Sequence, residues 1–180
     1  MNSHAGIYKN QVSSLCLCPA ALTGHNTTIM LCLVIPEFDH LGRLPPGVHF
    51  ASWTEIVSRF GESAWRRTLL AGLKEALISL KTAGCAVAYV DGSFVTAKQM
   101  PGDFDACWNE VGVDPDALDP VLLDFNNKRA AQKSKFRGEL FPASNFADPH
   151  GNSFLKFFQT DKATGDPKGI VAIDLLGWQP

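Results

Sequence analysis

The stretch YVDGSFVTAKQMPGDFDACW, residues 89–108, decides the fold. An apolar segment ends at Asp91, and a Gly-Ser pair follows it directly. A polar loop then leads to Asp103 and Asp105, which stand two positions apart and next to apolar residues. This pattern predicts two strands joined by a loop, with two carboxylates at the start of the second strand.

The two carboxylates are the first candidate functional groups. Alternate residues of a strand point to the same face, so Asp103 and Asp105 should project together. Two neighbouring acids raise each other's pKa unless a cation lies between them. Magnesium takes oxygen ligands and often uses one or two carboxylates together with substrate phosphates. We therefore expect a site for Mg²⁺, or for Mn²⁺, at this position.

The Gly-Ser pair is the second candidate. Gly92 would allow the backbone to approach a phosphate closely. Ser93 would add a hydroxyl, and exposed N–H groups at the start of a turn also bind phosphate oxygens. Together the two motifs predict a phosphate cradle beside a metal site.

The remaining elements predict an α+β fold with a small mixed or antiparallel sheet flanked by helices. Residues 62–83 are the clearest helix, with Ser63 as N-cap and Gly84 just past the end. Residues 85–90 and 104–108 should form antiparallel strands. Other expected elements are an extended segment over 31–50, a helix capped by Ser52 or Thr54 that ends near Gly61, mostly helix over 115–137 with an interruption at Pro120, a strand over 138–144, a short helix after Asn152 or Ser153, and a strand over 170–176.

Composition restricts the class of protein. With 180 residues, 46% hydrophobic content and a net charge of −2, the chain suits one globular domain without a broad electrostatic preference for nucleic acid. Its five scattered cysteines do not resemble a disulfide framework. No apolar run approaches the roughly 20 residues that span a bilayer, and no secretory signal is evident. We expect a cytoplasmic protein with no membrane association.

Residues 1–29 differ from the rest of the chain, since they show neither a helix nor a strand period. We interpret them as an irregular tail, and one hypothesis is that translation begins natively at Met30. Residues 30–180 would then form a single domain. Mass spectrometry of the native N-terminus tests this hypothesis.

The order of helix, strand, Gly92-Ser93, loop and Asp103-Phe104-Asp105 resembles the DNA polymerase beta-type nucleotidyltransferase superfamily. The superfamily pattern is Gly-Ser, a spacer, Asp-x-Asp and a third acid on a later strand. The resemblance implies that Gly92 and Ser93 bind the phosphates of a nucleoside triphosphate and that Asp103 and Asp105 bind the metals. Lys98 would be the loop cation, where many compact members carry arginine.

The third acid has two candidates. Glu139 lies on the strand predicted after the 115–137 segment, although superfamily members more often carry aspartate there. Asp174 is the rival, because it lies in the last predicted strand and alternates with its apolar residues. Glu139 is our choice, and by the resemblance it would join Asp103 and Asp105 as catalytic residue and metal ligand.

A fuller pattern, over roughly residues 34–176, resembles an uncharacterised bacterial family with this fold. Compact superfamily members include the minimal nucleotidyltransferases of bacterial toxin–antitoxin pairs. The resemblance implies metal-dependent transfer of a nucleoside monophosphate to a hydroxyl of an RNA, a protein or a small molecule. The alternative is an inactive, nucleotidyltransferase-like binding protein that acts as an antitoxin or regulates a partner. The basic run within 128–137 would contact triphosphate or RNA, or form a solvated helix face.

Overall fold

The computed structural model of the protein describes residues 35–180. The expected tail over 1–29 and the start at Met30 lie outside these residues. The helices and strands are β1 (Gly47–Phe50), α1 (Trp53–Phe60), α2 (Ala64–Thr82), β2 (Val87–Asp91), β3 (Phe104–Trp108), α3 (Asn126–Phe136), β4 (Gly138–Pro142), α4 (Phe154–Phe158) and β5 (Gly169–Asp174). Three short 3₁₀ turns are Ser93–Val95, Pro115–Ala117 and Pro120–Leu123.

The five strands form one mixed sheet in the order β1-β5-β2-β3-β4. The central pairs, β5 with β2 and β2 with β3, are antiparallel, whereas the outer pairs, β1 with β5 and β3 with β4, are parallel. This confirms the α+β class and the mixed sheet flanked by helices. It also confirms that residues 104–108 pair antiparallel with the preceding strand.

The large hydrophobic core lies between α2 and one face of the sheet. Leu69, Leu73 and Leu77 follow the helical period along α2 and are completely buried. Ala88 and Val90 of β2 face them from the sheet and belong to the same cluster. Burial of this continuous apolar stripe is the main source of stability for the fold.

The opposite face of the sheet carries a smaller cluster under α4. Phe141 of β4 stacks on Phe154 with 3.9 Å between ring centroids, and Phe158 meets Phe141 edge-on. Cys107 and Ile170 complete this cluster from β3 and β5. The short helix therefore covers only part of this face.

The helix ends agree with the sequence predictions. Ser52 caps α1 in a reciprocal capping box with Glu55, and Gly61 ends that helix. Ser63 caps α2, and Gly84 follows its end with φ +90°, a conformation that favours glycine. Ser153 caps α4 in the same way.

The prediction of mostly helix over 115–137 is confirmed in part. Only α3 is α-helical, and the first half consists of two short 3₁₀ helices on either side of Asp119, because Asp114 and Asp119 each cap a new helical turn that begins with proline. Within α3 itself, residues 127–129 have positive φ. The extended segment over 31–50 also contains a feature that was not predicted, the edge strand β1.

Within the described residues, no helix is long and apolar enough to cross a membrane. Cys85 and Cys107, the two cysteines in this part of the chain, are buried and unpaired.

Candidate functional site

Three carboxylates form a row across neighbouring strands. Asp105 of β3 lies directly opposite Asp91 of β2 and in register with Glu139 of β4. Residues in register on adjacent strands project to the same face, so all three side chains share the face that α4 only partly covers. Asp103 lies two positions before Asp105, so it should project to the same face as well. We call these four residues the acidic row.

The Gly-Ser turn lies directly against the acidic row. Gly92 has φ +80° and ψ −170°, a region of the backbone map that is essentially reserved for glycine. A Cβ atom at this position would lie 2.3 Å from Oδ2 of Asp105 and 3.1 Å from its backbone nitrogen. Only glycine fits here, because the carboxylate of Asp105 occupies the space of a side chain.

Glu139, at one end of the row, is held by two cations of α3. Nε of Arg129 donates to Oε2 of Glu139 at 2.7 Å, and Lys133 forms an ion pair with the other oxygen. Burial alone would raise the pKa of Glu139, but the hydrogen bonds from Lys133 and Arg129 outweigh it and hold the pKa below its usual value. The guanidinium of Arg129 also lies 4.7 Å above the ring of Phe141.

Asp91, at the other end, is paired with a loop lysine. Lys168 forms an ion pair with Oδ1 of Asp91, and both side chains are largely buried. Burial raises the pKa of Asp91 even so, and the charge and hydrogen bond of Lys168 only partly oppose that rise. Lys168 precedes β5, so the loop after α4 is tied to the acidic row.

Asp105, in the middle, differs from both neighbours because no cation of the described part of the chain pairs with it. Among residues 35–180 its carboxylate makes neither an ion pair nor a side-chain hydrogen bond. Burial raises its pKa to about 6, and the charges of Asp103, Asp91 and Glu139 contribute, while Lys162 acts in the opposite direction. The centre of the row is therefore a position where a bound cation would relieve repulsion.

Ser93 and Lys98, the other predicted phosphate ligands, differ in position. Ser93 follows Gly92 and is half-buried beside the acidic row. Lys98 is exposed and lines a separate cavity at the start of α2, which none of the four carboxylates lines. The structure thus brings Gly92, Ser93, Asp103, Asp105 and Glu139 into one neighbourhood and places Lys98 on a different surface.

Asp174, the rival third acid, lies at the opposite end of the sheet. It pairs with Val87, the first residue of β2, whereas Asp91 is the last. Four residues of strand separate the two levels by roughly 13 Å. Of the two candidates, Glu139 is the one beside Asp105.

Sequence reasoning missed Asp91 as a member of the site, and it missed the pairing of the cations. The sequence had no clear signal for Asp91, since a charged residue at the end of an apolar strand is usually solvated, and only the structure shows that Asp91 is buried and paired with Lys168. The pairing of Arg129 and Lys133 with Glu139 had no local signal either, because it joins α3 to the following strand β4. Residues 127–129 of α3 have left-handed backbone, with φ between 47° and 59°.

The donor set suits a metal ion only in part. No cluster of three or more histidine, cysteine, aspartate or glutamate side chains within residues 35–180 is arranged to hold a metal ion. Asp91 and Glu139 already have cationic partners, so Asp103 and Asp105 are the two available carboxylates. Two carboxylates suffice for magnesium when substrate phosphates supply further oxygens. The residues therefore fit a metal that arrives with a phosphorylated ligand better than a permanently bound one.

The fold and site define an α+β protein with a row of carboxylates at one end of a mixed sheet. The chain belongs to DUF6932, a family of unknown function, whose model matches residues 36–174. No curated protein and no solved structure matches the chain.

Proposed function

We propose that the protein is a metal-dependent nucleotidyltransferase that moves a nucleoside monophosphate from a nucleoside triphosphate to a hydroxyl of an RNA, a protein or a small molecule. The observation that carries the proposal is the contact between Gly92 and the carboxylate of Asp105. It joins the Gly-Ser turn to the Asp-x-Asp motif, and the spacing of these two motifs is the basis of the resemblance to the DNA polymerase beta-type superfamily.

Each residue has a defined task in this proposal. Asp103 and Asp105 would hold Mg²⁺ or Mn²⁺, which, when bound, would polarise phosphate oxygens and lower the pKa of the acceptor hydroxyl. Gly92 would let the backbone approach the triphosphate, and Ser93 would donate its hydroxyl to a phosphate oxygen. Glu139 would orient the site through its contacts with Arg129 and Lys133, and those two cations would favour phosphates nearby.

Lys162 and Lys168 support the proposal from the other side of the row. Lys168 neutralises Asp91, and Lys162 lies close enough to lower the pKa of Asp105. Lys162 is exposed, and its ammonium lies 5.3 Å from the ring of Phe157. A cation at the mouth of the site would attract a triphosphate before any specific contact forms.

The test is transfer of label from each of four α-labelled nucleoside triphosphates, with Mg²⁺ or Mn²⁺ and a cell extract as the source of acceptors. Asp103→Asn and Asp105→Asn should abolish transfer, because each removes one of the two available carboxylates. Asp116→Asn is the matched control, since that aspartate is exposed in a 3₁₀ turn outside the acidic row. Equal transfer by Asp105→Asn and by the control would reject the site.

A second candidate function is that of a binding protein which has kept the fold without catalysis. The observation that favours it is that both oxygens of Glu139 are occupied by Arg129 and Lys133. A third acid engaged in this way is a poor metal ligand, because the cations compete with the metal. Such a protein would bind a partner, as an antitoxin does.

The two functions are separated by one comparison. A folded wild-type protein that transfers no label, but that co-purifies with a single partner chain when expressed from its native locus, would support the binding protein. Label transfer that requires a metal and is lost in Asp105→Asn would support the enzyme.

A further inference from the structure

A second site, apart from the acidic row, is a cavity of about 220 Å³ beside the start of α2. Its walls come from the end of α1, the start of α2 and the loop residues 96–99. Phe38 and Phe60 supply aromatic surface, and the polar groups are dominated by cations. The cavity is lined by Arg59, Arg66 and Lys98 against one carboxylate, Glu62.

Arg66 creates a positive field in the cavity without being free to bind. It is 5% exposed, and its guanidinium donates to the carbonyl oxygens of Phe60 at 2.7 Å and Lys98 at 2.9 Å, with a third bond to Phe94. No carboxylate within residues 35–180 forms an ion pair with it. Carbonyl dipoles satisfy its hydrogen-bond donors but do not cancel its net charge.

Arg59 is a partly exposed cation of the lining, and its donors are not all satisfied within residues 35–180. Its Nε is buried and has no hydrogen-bond partner within the described part of the chain. Its Nη2 donates to Glu37 at 3.0 Å, but the side chain of Glu37 is 88% exposed, so this pair is weak. The guanidinium lies 4.4 Å from the ring centre of Phe38, a cation–π contact.

A buried donor without a partner is costly, and it is rare in folded proteins unless a ligand or water satisfies it. Here the donor belongs to a cation, and it lies in a wall with three cations and one acid. An anion in the cavity would balance the charge and bind the part of the Arg59 side chain that is exposed, which is 24% of it. Among the described residues the lining carries three cations and one carboxylate, and Glu37 pairs with Arg59 from outside the lining, so a positive charge remains that favours an anion. A guanidinium fork matches the oxygens of a phosphate.

We propose that this cavity binds the phosphate group of a phosphorylated ligand, with Arg59 as the principal donor and Lys98 as a second cation. Free phosphate, the phosphate of a nucleotide and the backbone of a nucleic acid share this chemistry. The site is independent of the metal site, because none of the acidic row lines it. The cavity would bind phosphate whether or not the protein is a nucleotidyltransferase.

The first test is titration of the full chain with inorganic phosphate by isothermal calorimetry, with EDTA present and ionic strength held constant with sodium chloride. Arg59→Gln should weaken binding about tenfold or more, since it removes a charged donor. Arg67→Gln is the matched control, because Arg67 is exposed on α2 and does not line the cavity. It should change affinity less than about twofold. Equal losses in the two variants, or no binding by the wild type, would overturn the proposal.

A variant that is expected to bind phosphate more tightly is also needed, because loss of binding alone can result from misfolding. Glu62→Gln removes the carboxylate that the described residues contribute to the lining, and it should strengthen phosphate binding several-fold. Asp105→Asn should leave phosphate binding unchanged in the presence of EDTA. Loss of binding in Asp105→Asn with binding kept in Arg59→Gln would place the phosphate at the acidic row and would refute the cavity site.

The source of the phosphate is resolved by two further probes, adenosine monophosphate and a short single-stranded RNA. Tighter binding of the monophosphate than of inorganic phosphate, lost in Arg59→Gln, would support a nucleotide. Tighter binding of the RNA, with a steep dependence on salt and the same loss in Arg59→Gln, would support a nucleic-acid backbone. Inorganic phosphate as the tightest of the three would support a free phosphate.

Discussion

The two faces of the central sheet differ in what they bury. The face under α2 holds a continuous apolar core, including Leu73 and Leu77, which are completely inaccessible to solvent. The other face holds a small aromatic cluster under α4 and, beside it, four carboxylates in one row. Burial of apolar surface stabilises the first face, whereas on the second the burial of Asp105 among like charges is unfavourable. The chain thus holds its large apolar core and its row of carboxylates on opposite faces of one sheet.

The largest expected effect on stability comes from a substitution in the large apolar core under α2. Leu77→Ala should lower the free energy of unfolding by about 2–5 kcal/mol, because it leaves a cavity in the large core. Ile78 is the next residue along the same helix and is 40% exposed, so Ile78→Ala should lower the free energy of unfolding by less than about half as much. Urea denaturation measures both. Similar losses in the two variants would show that α2 does not pack as described.

The next effect concerns the contact that assembles the site. Gly92→Ala should cost about 1–3 kcal/mol, since alanine is strained at φ +80° and its Cβ would displace the carboxylate of Asp105. Gly102→Ala, in the same loop, has no atom within 4 Å of its new Cβ and should be nearly neutral. Thermal or urea unfolding of the two variants is the measurement. A well-tolerated Gly92→Ala would contradict the close approach of Gly92 to Asp105.

Asp105→Asn should raise the free energy of unfolding, in contrast to the two preceding substitutions, because it removes a charge that the folded state disfavours. The pKa of Asp105 rises from 3.8 in the unfolded chain to about 6 in the folded protein. Protonated Asp105 therefore favours the folded state below pH 3.8. This contribution to the free energy of unfolding is lost as pH rises through the folded pKa of about 6. At pH 7.5 the substitution should raise the free energy of unfolding by roughly 1–3 kcal/mol, and below about pH 4 the gain should vanish.

Denaturant unfolding across this pH range is the measurement, with Asp116→Asn as the control for loss of an exposed charge. A gain that persists unchanged at pH 4 would mean that electrostatic strain at Asp105 is not its cause.

The smallest effect concerns Glu139, the carboxylate beside Asp105 that has partners. Its pKa is lowered in the folded state, so its ion pairs stabilise the protein above the unfolded pKa of 4.5, and this stability is lost as pH falls through the lowered folded value. Lys133→Met should cost about 1 kcal/mol at pH 7, because the pair is partly exposed, and less at acidic pH. Lys128→Met, which removes an exposed lysine outside these pairs, is the control. A loss of unfolding free energy in Lys133→Met that grows as pH falls would contradict the stabilising role of the ion pair.

Local patterns predicted the helix ends, because serine caps and a terminal glycine act within a few residues of themselves. Ser52, Ser63 and Gly84 are examples. The antiparallel pairing of β2 with β3 was also predictable from a loop between two apolar runs. The edge strand β1 was not, since its partner β5 lies more than a hundred residues later along the chain.

The site was predictable to the extent that its residues are close in the chain. Gly92, Ser93, Asp103 and Asp105 were found by their spacing, and the short loop between β2 and β3 brings them together. The cationic partners of Asp91 and Glu139 were not found, because their pairing depends on where α3 and the loop before β5 come to lie. Those positions follow from packing against β4 and β5, for which the sequence has no local signal.

The measurement that tests the central claim most directly is binding of Mn²⁺, followed by electron paramagnetic resonance, with and without a non-hydrolysable nucleoside triphosphate analogue. We predict weak binding of Mn²⁺ to the protein alone, tighter binding when protein and nucleotide are both present than with either partner separately, and loss of that enhancement in Asp105→Asn but not in Asp116→Asn. An enhancement of the same size in Asp105→Asn, or none in the wild type, would contradict a metal and nucleotide site at the acidic row.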